Sequence, residues 1–375
     1  MFFGFQSYLL PNEGERQKGR AIEFWVGLAN RNAPKDVPEA SRCLEEAGAV
    51  ALTLTTVRDT ARAVYWLALA WVDLCGDIKA GASLINHHSI SRSRRVDFWV
   101  HAQKQLRGRH EGRVRRELLK IARGTDELMD LLNIVDNWRD CFGKEYEDDL
   151  ISLMNDMTEL SEDGVDLVSC ARQWQLLFDH QYDDLITDCL TTSEAQPETP
   201  DPACCMEQAA LWVHLGNEAK ARNRMLIAEA ETTAIDLPVL ALSWHEIFND
   251  DIAATRILEK AYGHARATKN VEDLWFCACS WLALSTEDAA QKAGNCLEMA
   301  ATFAATSHDW YCIGSGWHTL GRRDAAKQYA ARAELLAKTA EDWCDCARLW
   351  QGLGDFPDEE DRCRKEYHRL SDTEA

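Results

Sequence analysis

The chain has 375 residues, 46% of them apolar and 27% charged, a balance that fits a folded protein and excludes global disorder. Its formal net charge of −21 favours basic partners and disfavours indiscriminate binding to nucleic acid or anionic membrane. No apolar run approaches the roughly 18–20 residues that a membrane span needs, and the length admits two ordinary domains or one elongated repeat array.

The N-terminal stretch MFFGFQSYLLPNEGERQKGR is apolar before it is charged, the reverse of a secretory signal, so it is expected to belong to the fold or cap it. None of the fourteen cysteines forms a Cys-x2-Cys pair with a matching second pair. A reducing, cytoplasmic setting with mostly free thiols is the expectation.

Aligning the chain on Trp-x-x-Leu-Gly produces a ladder of internal repeats. Trp25 in WVGLAN is a possible first rung, Trp71 precedes VDLCGD, and Gln103 takes the equivalent place in AQKQLRG. Trp138, Trp174, Trp212, Trp244, Trp281, Trp317 and Trp350 follow, at spacings of 36, 38, 32, 37, 36 and 33 residues. This makes nine or ten units of 32–38 residues with irregular ends, as a stacked array requires.

Each unit carries the same internal pattern. Eight residues before the rung stands an aspartate: Asp130, Asp166, Asp236, Asp273, Asp309 and Asp342. Aspartate is a favoured N-cap, so these residues are expected to start the first helix of each unit. In the last unit Trp343, Cys346, Ala347, Trp350 and Leu353 trace one stripe of a 3.6-residue helix. Gly216, Gly321 and Gly354 stand where a glycine in the left-handed region ends such a helix. A second helix follows, clearest in DAAKQYAARAELLAKTA, with Ala221, Ala253, Ala290 and Ala326 nine residues past their rungs as close-approach points. No strand alternation is sustained. The expected fold is all-α, an α-solenoid of helix-turn-helix repeats.

Charge is uneven along the array. Residues 91–123 hold 11 Lys/Arg against 3 acids, and residues 126–166 hold 14 acids against Arg139 and Lys144. The basic block either satisfies acidic neighbours across the array or forms a positive patch through Arg92, Arg94, Arg95, Arg107, Arg109, Arg113, Arg115 and Arg116. The segment TTSEAQPETPDPACC, 191–205, is the best internal break, a long loop or a hinge. It divides a first arm, 1–196, from a second, 206–375, with a Pro-rich acidic link at 197–205. The tail after Gly354 reads as a polar capping helix.

The run Ala347-x-x-Trp350-x-x-Leu353-Gly354-Asp355 resembles the inter-helix turn of the tetratricopeptide-like superfamily of helical repeats, and the likeness covers most of the chain. In that family the Trp-Leu-Gly triplet opens the first helix, whereas here it closes it, so the resemblance is to a divergent member. It implies right-handed stacking of helix pairs and protein or peptide binding on a concave face. The matching positions are structural, so no binding residues carry over.

Candidate sites weigh towards packing. Cys170, Cys277 and Cys346 lie four residues before their rungs, in a slot that Ile134, Leu240 and Ile313 also fill, so cysteine there is read as a small core hydrophobe. The tryptophan ladder itself is read as core, with Trp66, Trp99 and Trp275 off the ladder. His87-His88 project to different faces of a helix, His245-Glu246 lacks a second histidine, and GSGW at Gly314 suits close helix packing rather than phosphate. No catalytic residue, cofactor or metal is expected. The leading expectation is a non-enzymatic scaffold, adaptor or immunity-type inhibitor that binds a basic protein. The rivals are a nucleic-acid or phospholigand binder using the basic block, and a metalloprotein or enzyme whose groups meet only in the folded array.

Overall fold

The computed structural model describes residues 10, 12–87, 90–106, 108–125, 127–196, 201–284 and 286–374. They form helices and connecting turns, with no strand among the described residues. The helices run in antiparallel-style pairs along the chain: α1 (Glu13–Asn32) with α2 (Val37–Ala51), α3 (Val57–Cys75) with α4 (Ile78–Ile85), and α5 (Arg92–Gln105) with α6 (Glu111–Arg123). Next come α7 (Leu128–Phe142) with α8 (Glu147–Leu160) and α9 (Gly164–Phe178) with α10 (Asp183–Glu194). The pairs continue with α11 (Pro202–His214) and α12 (Glu218–Glu231), α13 (Leu237–Phe248) and α14 (Asp251–Thr268), and α15 (Val271–Leu284) and α16 (Ala289–Phe303). They end with α17 (Ser307–Thr319) and α18 (Arg323–Leu336), then α19 (Ala340–Leu353) and α20 (Pro357–Glu374).

These ten pairs divide into two compact units, Met1–Glu194 and Ala195–Ala375. The segment between the helices of the two units is shorter than 191–205. Thr191–Glu194 is the last turn of α10, and Pro202–Cys205 is the first turn of α11, with Asp201 as its N-cap. The polar tail is the second helix of the tenth pair and packs on α19.

Within each unit the packing is that of a helical repeat. The first helices lie side by side, α1 on α3, α3 on α5 and α5 on α7 in one unit, and α11 through α19 in succession in the other. Each second helix packs on its own partner and on the first helix of the next pair, as α2 does on α3 and α14 on α15. Contacts between pairs therefore join near neighbours, the pattern of a repeat whose stability is a sum of nearest-neighbour terms.

The helix starts correct one expectation. Asp130, Asp166, Asp273, Asp309 and Asp342 are third residues of their helices, not N-caps. The caps lie three residues earlier in four of these helices. Thr306 Oγ1 and Thr339 Oγ1 each accept the N–H of their aspartate at 3.1 Å. Asp309 and Asp342 reach back to accept the Thr306 and Thr339 N–H groups at 2.8 and 2.9 Å. This reciprocal box satisfies orphan donors from both sides and sets a carboxylate at the positive end of the helix dipole. Asp163 and Asn270 cap α9 and α15 in the same register. Asp236 does flank its helix, but its carboxylate takes the Thr233 hydroxyl at 2.7 Å instead of a backbone N–H, and Pro238 in the first turn has none to offer.

The helix ends differ by one residue from unit to unit. Gly216, Gly321 and Gly354 have φ of 73°, 70° and 79°, four residues past their rungs. Gly76, Gly143, Asp179 and Asn249 hold the positive-φ place five residues past. Turn length re-phases the following helix: Ala221 and Ala326 are buried, but at the other two expected contacts it is Ala254 and Ala289 that are buried, and Ala290 is exposed.

The rungs Trp71, Trp138, Trp174, Trp212, Trp244, Trp281 and Trp350 are buried, and Gln103 is buried in their register, donating to the Cys141 carbonyl at 3.0 Å. Trp317 is half-buried. The slot four residues earlier is sealed whichever side chain fills it: Ile134, Cys170, Leu240, Cys277, Ile313 and Cys346 are at most 1% exposed. Small residues set the tightest approaches. A Cβ on Gly314 would meet Leu349 of α19, and one on Gly316 would meet Leu297 of α16, so the GSG run seats α17 between its neighbours. At Gly81 the obstacle is backbone: an added Cβ would lie 2.8 Å from the Ala68 carbonyl oxygen and 3.0 Å from the Phe98 ring.

Ion pairs run between second helices of adjacent pairs. Arg256 of α14 chelates Glu229 of α12 at 2.5 and 2.7 Å, and Arg362 of α20 chelates Glu334 of α18 at 2.6 and 2.8 Å. Lys292 of α16 reaches Glu259 of α14 at 3.6 Å, and Arg115 of α6 reaches Asp149 of α8 at 2.5 Å.

Two stability measurements check this account. Gly81→Ala is expected to lower the unfolding free energy by about 1–3 kcal/mol, since neither the carbonyl nor the ring can withdraw without moving a helix. Gly112→Ala, in open space on α6, is expected to be neutral or stabilising in the same denaturant titration. The Arg256 guanidinium holds Glu229 below the ordinary glutamate value of 4.5, so its contribution is complete above that value and is lost as pH falls through the lowered one. Asp273, raised by burial, acts in the opposite sense. Glu229→Gln is therefore expected to flatten the fall of melting temperature below pH 5, with little change in slope at neutral pH.

Candidate functional site

The basic block folds into α5 and α6, and much of it is engaged inside the first unit. Arg115 pairs with Asp149 and lies 4.3 Å from the Tyr146 ring centroid. Arg113 lies over Trp99 and Arg94 over Tyr65, at 5.8 and 5.7 Å. Arg92 donates to the Thr125 hydroxyl at 3.4 Å, and Lys104 reaches Asn137 and Asp140 of α7. Arg95 is half-buried. Arg109 and Arg116 are exposed and make no ion pair among the described residues, while Arg107 lies outside them. The third helix pair is basic where the fourth, α7 with α8, is acidic, and part of the excess charge is matched at their junction.

The first helices of the second unit present a different surface. Because α13, α15, α17 and α19 lie side by side with their rungs turned inward, residues six, five and two before each rung share the opposite face. On α13 these are Pro238, Val239 and Leu242, and Val239 is 40% exposed. On α15 they are Trp275, Phe276 and Cys279, all half-buried. On α17 these positions of the strip hold Tyr311 and Ser315, half-buried, and Cys312, buried; on α19 they hold Cys344, half-buried, Asp345, buried, and the exposed Arg348. Ile235, just before α13, is 62% exposed. Glu272 and Glu341, in the first turns of α15 and α19, are exposed at its edge and make no ion pair among the described residues. The neighbouring carboxylates of Asp309 and Asp342 are occupied by their own caps.

The corresponding positions in the first unit are mixed: α3 carries half-buried Tyr65 and Trp66 in the register of Trp275 and Phe276, whereas α5 and α7 carry polar residues there. Asp97 on α5 accepts from Asn133 on α7 at 3.0 Å, and His101 on α5 meets Asp73 on α3 at 2.7 Å. Asn133 and Asp97 occupy the same register in which the second unit carries Phe276 and Trp275. No repeat pattern announced this contrast, because the ladder residues that define the register all point the other way.

Cysteine placement follows the slot. Cys170, Cys277 and Cys346 are buried, and burial pushes the Cys277 and Cys346 thiols up to about 12. Their neighbours Cys279 and Cys344 are half-exposed, on the apolar face. Trp99 is buried, whereas Trp66 and Trp275 are half-buried. His87 is described and His88 is not. Two polar residues went unnoticed in the sequence, His308 and Asp345, whose side chains meet at 3.0 Å across α17 and α19. The signal was there as register: Cys312 and Asp345 both stand five residues before their rungs, and His308 is one helical turn before Cys312.

No protein-family model matches the chain, and no curated protein sequence matches it. No helix among the described residues is long and apolar enough to cross a membrane.

Differential labelling checks the cysteine assignment. In native protein at pH 7.5 a maleimide is expected to label Cys344 within minutes, and Cys279 more slowly because burial raises its thiol pKa. Cys277 and Cys346 should label only after denaturation, as read by peptide mass spectrometry.

Proposed function

We propose that this chain is a non-enzymatic helical-repeat scaffold that binds a basic protein through the first-helix face of its second unit. The observation that carries this reading is the strip from Val239 through Trp275 and Phe276 to Tyr311, apolar and aromatic, with the exposed carboxylates of Glu272 and Glu341, in no ion pair among the described residues, at its edge. Half-exposed aromatic side chains supply large contact area at low entropic cost and are enriched at the energetic centres of protein interfaces. Carboxylates at the rim steer a cationic partner, and the net charge of −21 extends that attraction beyond the contact. A scaffold resembling the tetratricopeptide-like superfamily, an adaptor and an immunity-type inhibitor all share this chemistry. A cytoplasmic setting suits its thiols.

Arg109 and Arg116 support a second reading, in which exposed cations on the third helix pair hold a polyanion. Their acidic surroundings oppose it, since neighbouring carboxylates repel phosphate.

The test is affinity capture at low and high salt with the wild-type chain, with Trp275→Ala/Tyr311→Ala, with Glu272→Lys/Glu341→Lys and with Arg109→Glu/Arg116→Glu. A basic protein retained by the wild type and the arginine variant is the expected result. It should be lost from the aromatic variant and be weakened roughly tenfold or more by high salt and by the glutamate variant. Retention of nucleic acid or another polyanion, abolished only in the arginine variant, would overturn the proposal.

A further inference from the structure

The rung tryptophans of the second unit carry a cation or an aromatic ring from the chain itself, with one exception. Lys220 Nζ lies 3.8 Å from the Trp212 ring centroid, and Lys292 Nζ lies 4.2 Å from that of Trp281. Trp244 has the Phe248 ring at 5.3 Å, and Trp350 has the Phe356 ring at 5.1 Å. Trp317 is half-buried, and no cation or aromatic ring among the described residues packs over it.

The Trp317 ring lines a cleft of about 530 Å³ between α16 and the end of α17, a volume in the range of small-molecule sites. Small residues of α16, Ala290 and Gly294, keep it open, and a Cβ on Gly294 would lie 3.7 Å from Trp317 Cη2. Four polar side chains line it: Gln291, Asn295 and Glu298 of α16, and Arg322 of the turn after α17. All four are exposed and make no side-chain hydrogen bond or ion pair among the described residues. In the adjoining recess at Trp281 the cation is already engaged, since Lys292 pairs with Asp288 at 3.1 Å and Glu259 at 3.6 Å.

We propose that this cleft binds a basic amino acid, arginine in the first instance, free or as the C-terminal residue of a peptide. Its guanidinium lies against the Trp317 ring and the Glu298 carboxylate, and its own carboxylate meets Arg322.

The covers at Trp212 and Trp281 show what the uncovered ring takes, because a cation over an indole is attracted by the ring quadrupole. A guanidinium is planar, stacks on the indole and presents a fork of N–H donors to a carboxylate. Glu298 supplies that carboxylate, and the amide oxygens of Gln291 and Asn295 accept further N–H groups. Arg322 places a positive charge in the same cleft. It opposes a bare cation and favours a ligand that brings a carboxylate of its own. From Ala290 to Glu298 the α16 wall runs about 12 Å, enough for an arginine laid lengthwise. A solvated crevice between helices is the competing account, and it predicts no saturable affinity. The cleft lies on the rung side of α17, away from the first-helix strip, so its failure leaves the protein-binding reading intact.

The experiment is isothermal titration of the full-length chain with L-arginine, L-citrulline, L-argininamide and a pentapeptide ending in arginine. L-Arginine is expected to bind one to one, with citrulline, which lacks the charge, and argininamide, which lacks the carboxylate, each about tenfold weaker or more. Glu298→Gln should weaken L-arginine about tenfold, and Arg322→Gln should weaken L-arginine while leaving argininamide unchanged. Gly294→Leu should fill the cleft and abolish binding without removing the rung. Circular dichroism confirms that each variant folds. Tighter binding of the free amino acid identifies a small-molecule site, and tighter binding of the peptide identifies a chain terminus as the ligand. Absence of saturable binding of L-arginine and the peptide, or equal affinity in wild type, Glu298→Gln and Gly294→Leu, overturns the site.

Discussion

Inside the array the first helices carry an apolar stripe wider than their own partners can cover, and the structure depends on the next pair arriving to cover the rest. Trp174 shows this: it is fully enclosed, with the Tyr182 ring of its own pair 4.9 Å away and its indole N–H donating to Thr158 Oγ1 of the preceding pair at 3.4 Å. Fully burying an apolar side chain of this size contributes on the order of 1.5–3 kcal/mol, so one covered rung is comparable to a sizeable fraction of a domain's net stability. A helix pair cut out of the array would expose that surface on both sides. Stacking is therefore the condition for folding, and the exposed faces are what is left over for function.

Polar interactions refine this arrangement. The capping boxes at Thr306–Asp309 and Thr339–Asp342 define where α17 and α19 start, and the left-handed turns at Gly321 and Gly354 define where they end. Start and stop together fix the phase of the stripe. The bidentate arginine pairs between second helices add register between neighbours, though each is partly exposed and its net contribution is small. Some of the charge on the second helices is thus directed at the adjacent repeat, whereas Glu272 and Glu341 on the first-helix face make no ion pair among the described residues.

The two surfaces of the second unit's first helices have become chemically distinct. The inward face is interchangeable among Cys, Ile and Leu because only volume and apolarity matter there. On the outward face Trp275, Phe276 and Tyr311 stand half-exposed, and His308, Cys312 and Asp345 make directed contacts whose partners are specific atoms. Burial deactivates the thiols of Cys277 and Cys346, while Cys312 is buried with an imidazole against it. The same residue type therefore has two meanings, decided by which neighbour it meets.

Much of the fold was legible in the sequence because a repeated stripe is a local signal: Trp-x-x-Leu-Gly recurs at nearly constant spacing, and a 3.6-residue period needs no tertiary knowledge to read. The all-α class, the helix pairs, the rung positions and the shared Cys/Ile/Leu slot all follow from it. The assignment of the aspartates as N-caps held in position at Asp236 and missed by three residues at the others, as at Asp309 and Asp342, where Thr-x-x-Asp is a reciprocal pair whose acid is as conspicuous as its cap. What the sequence left undetermined concerns atoms from different pairs. Arg115 finds Asp149 34 residues away, and His308 finds Asp345 37 residues away. Each distance is about one repeat, but the choice of partner depends on turn lengths that vary by one residue and rotate the following helix. The sequence by itself determined the period and what must be buried. Only the tertiary structure decided which basic residues are neutralised, which aromatic residues reach the surface, and which thiol lies against a histidine, because those are properties of helix phase and lateral packing.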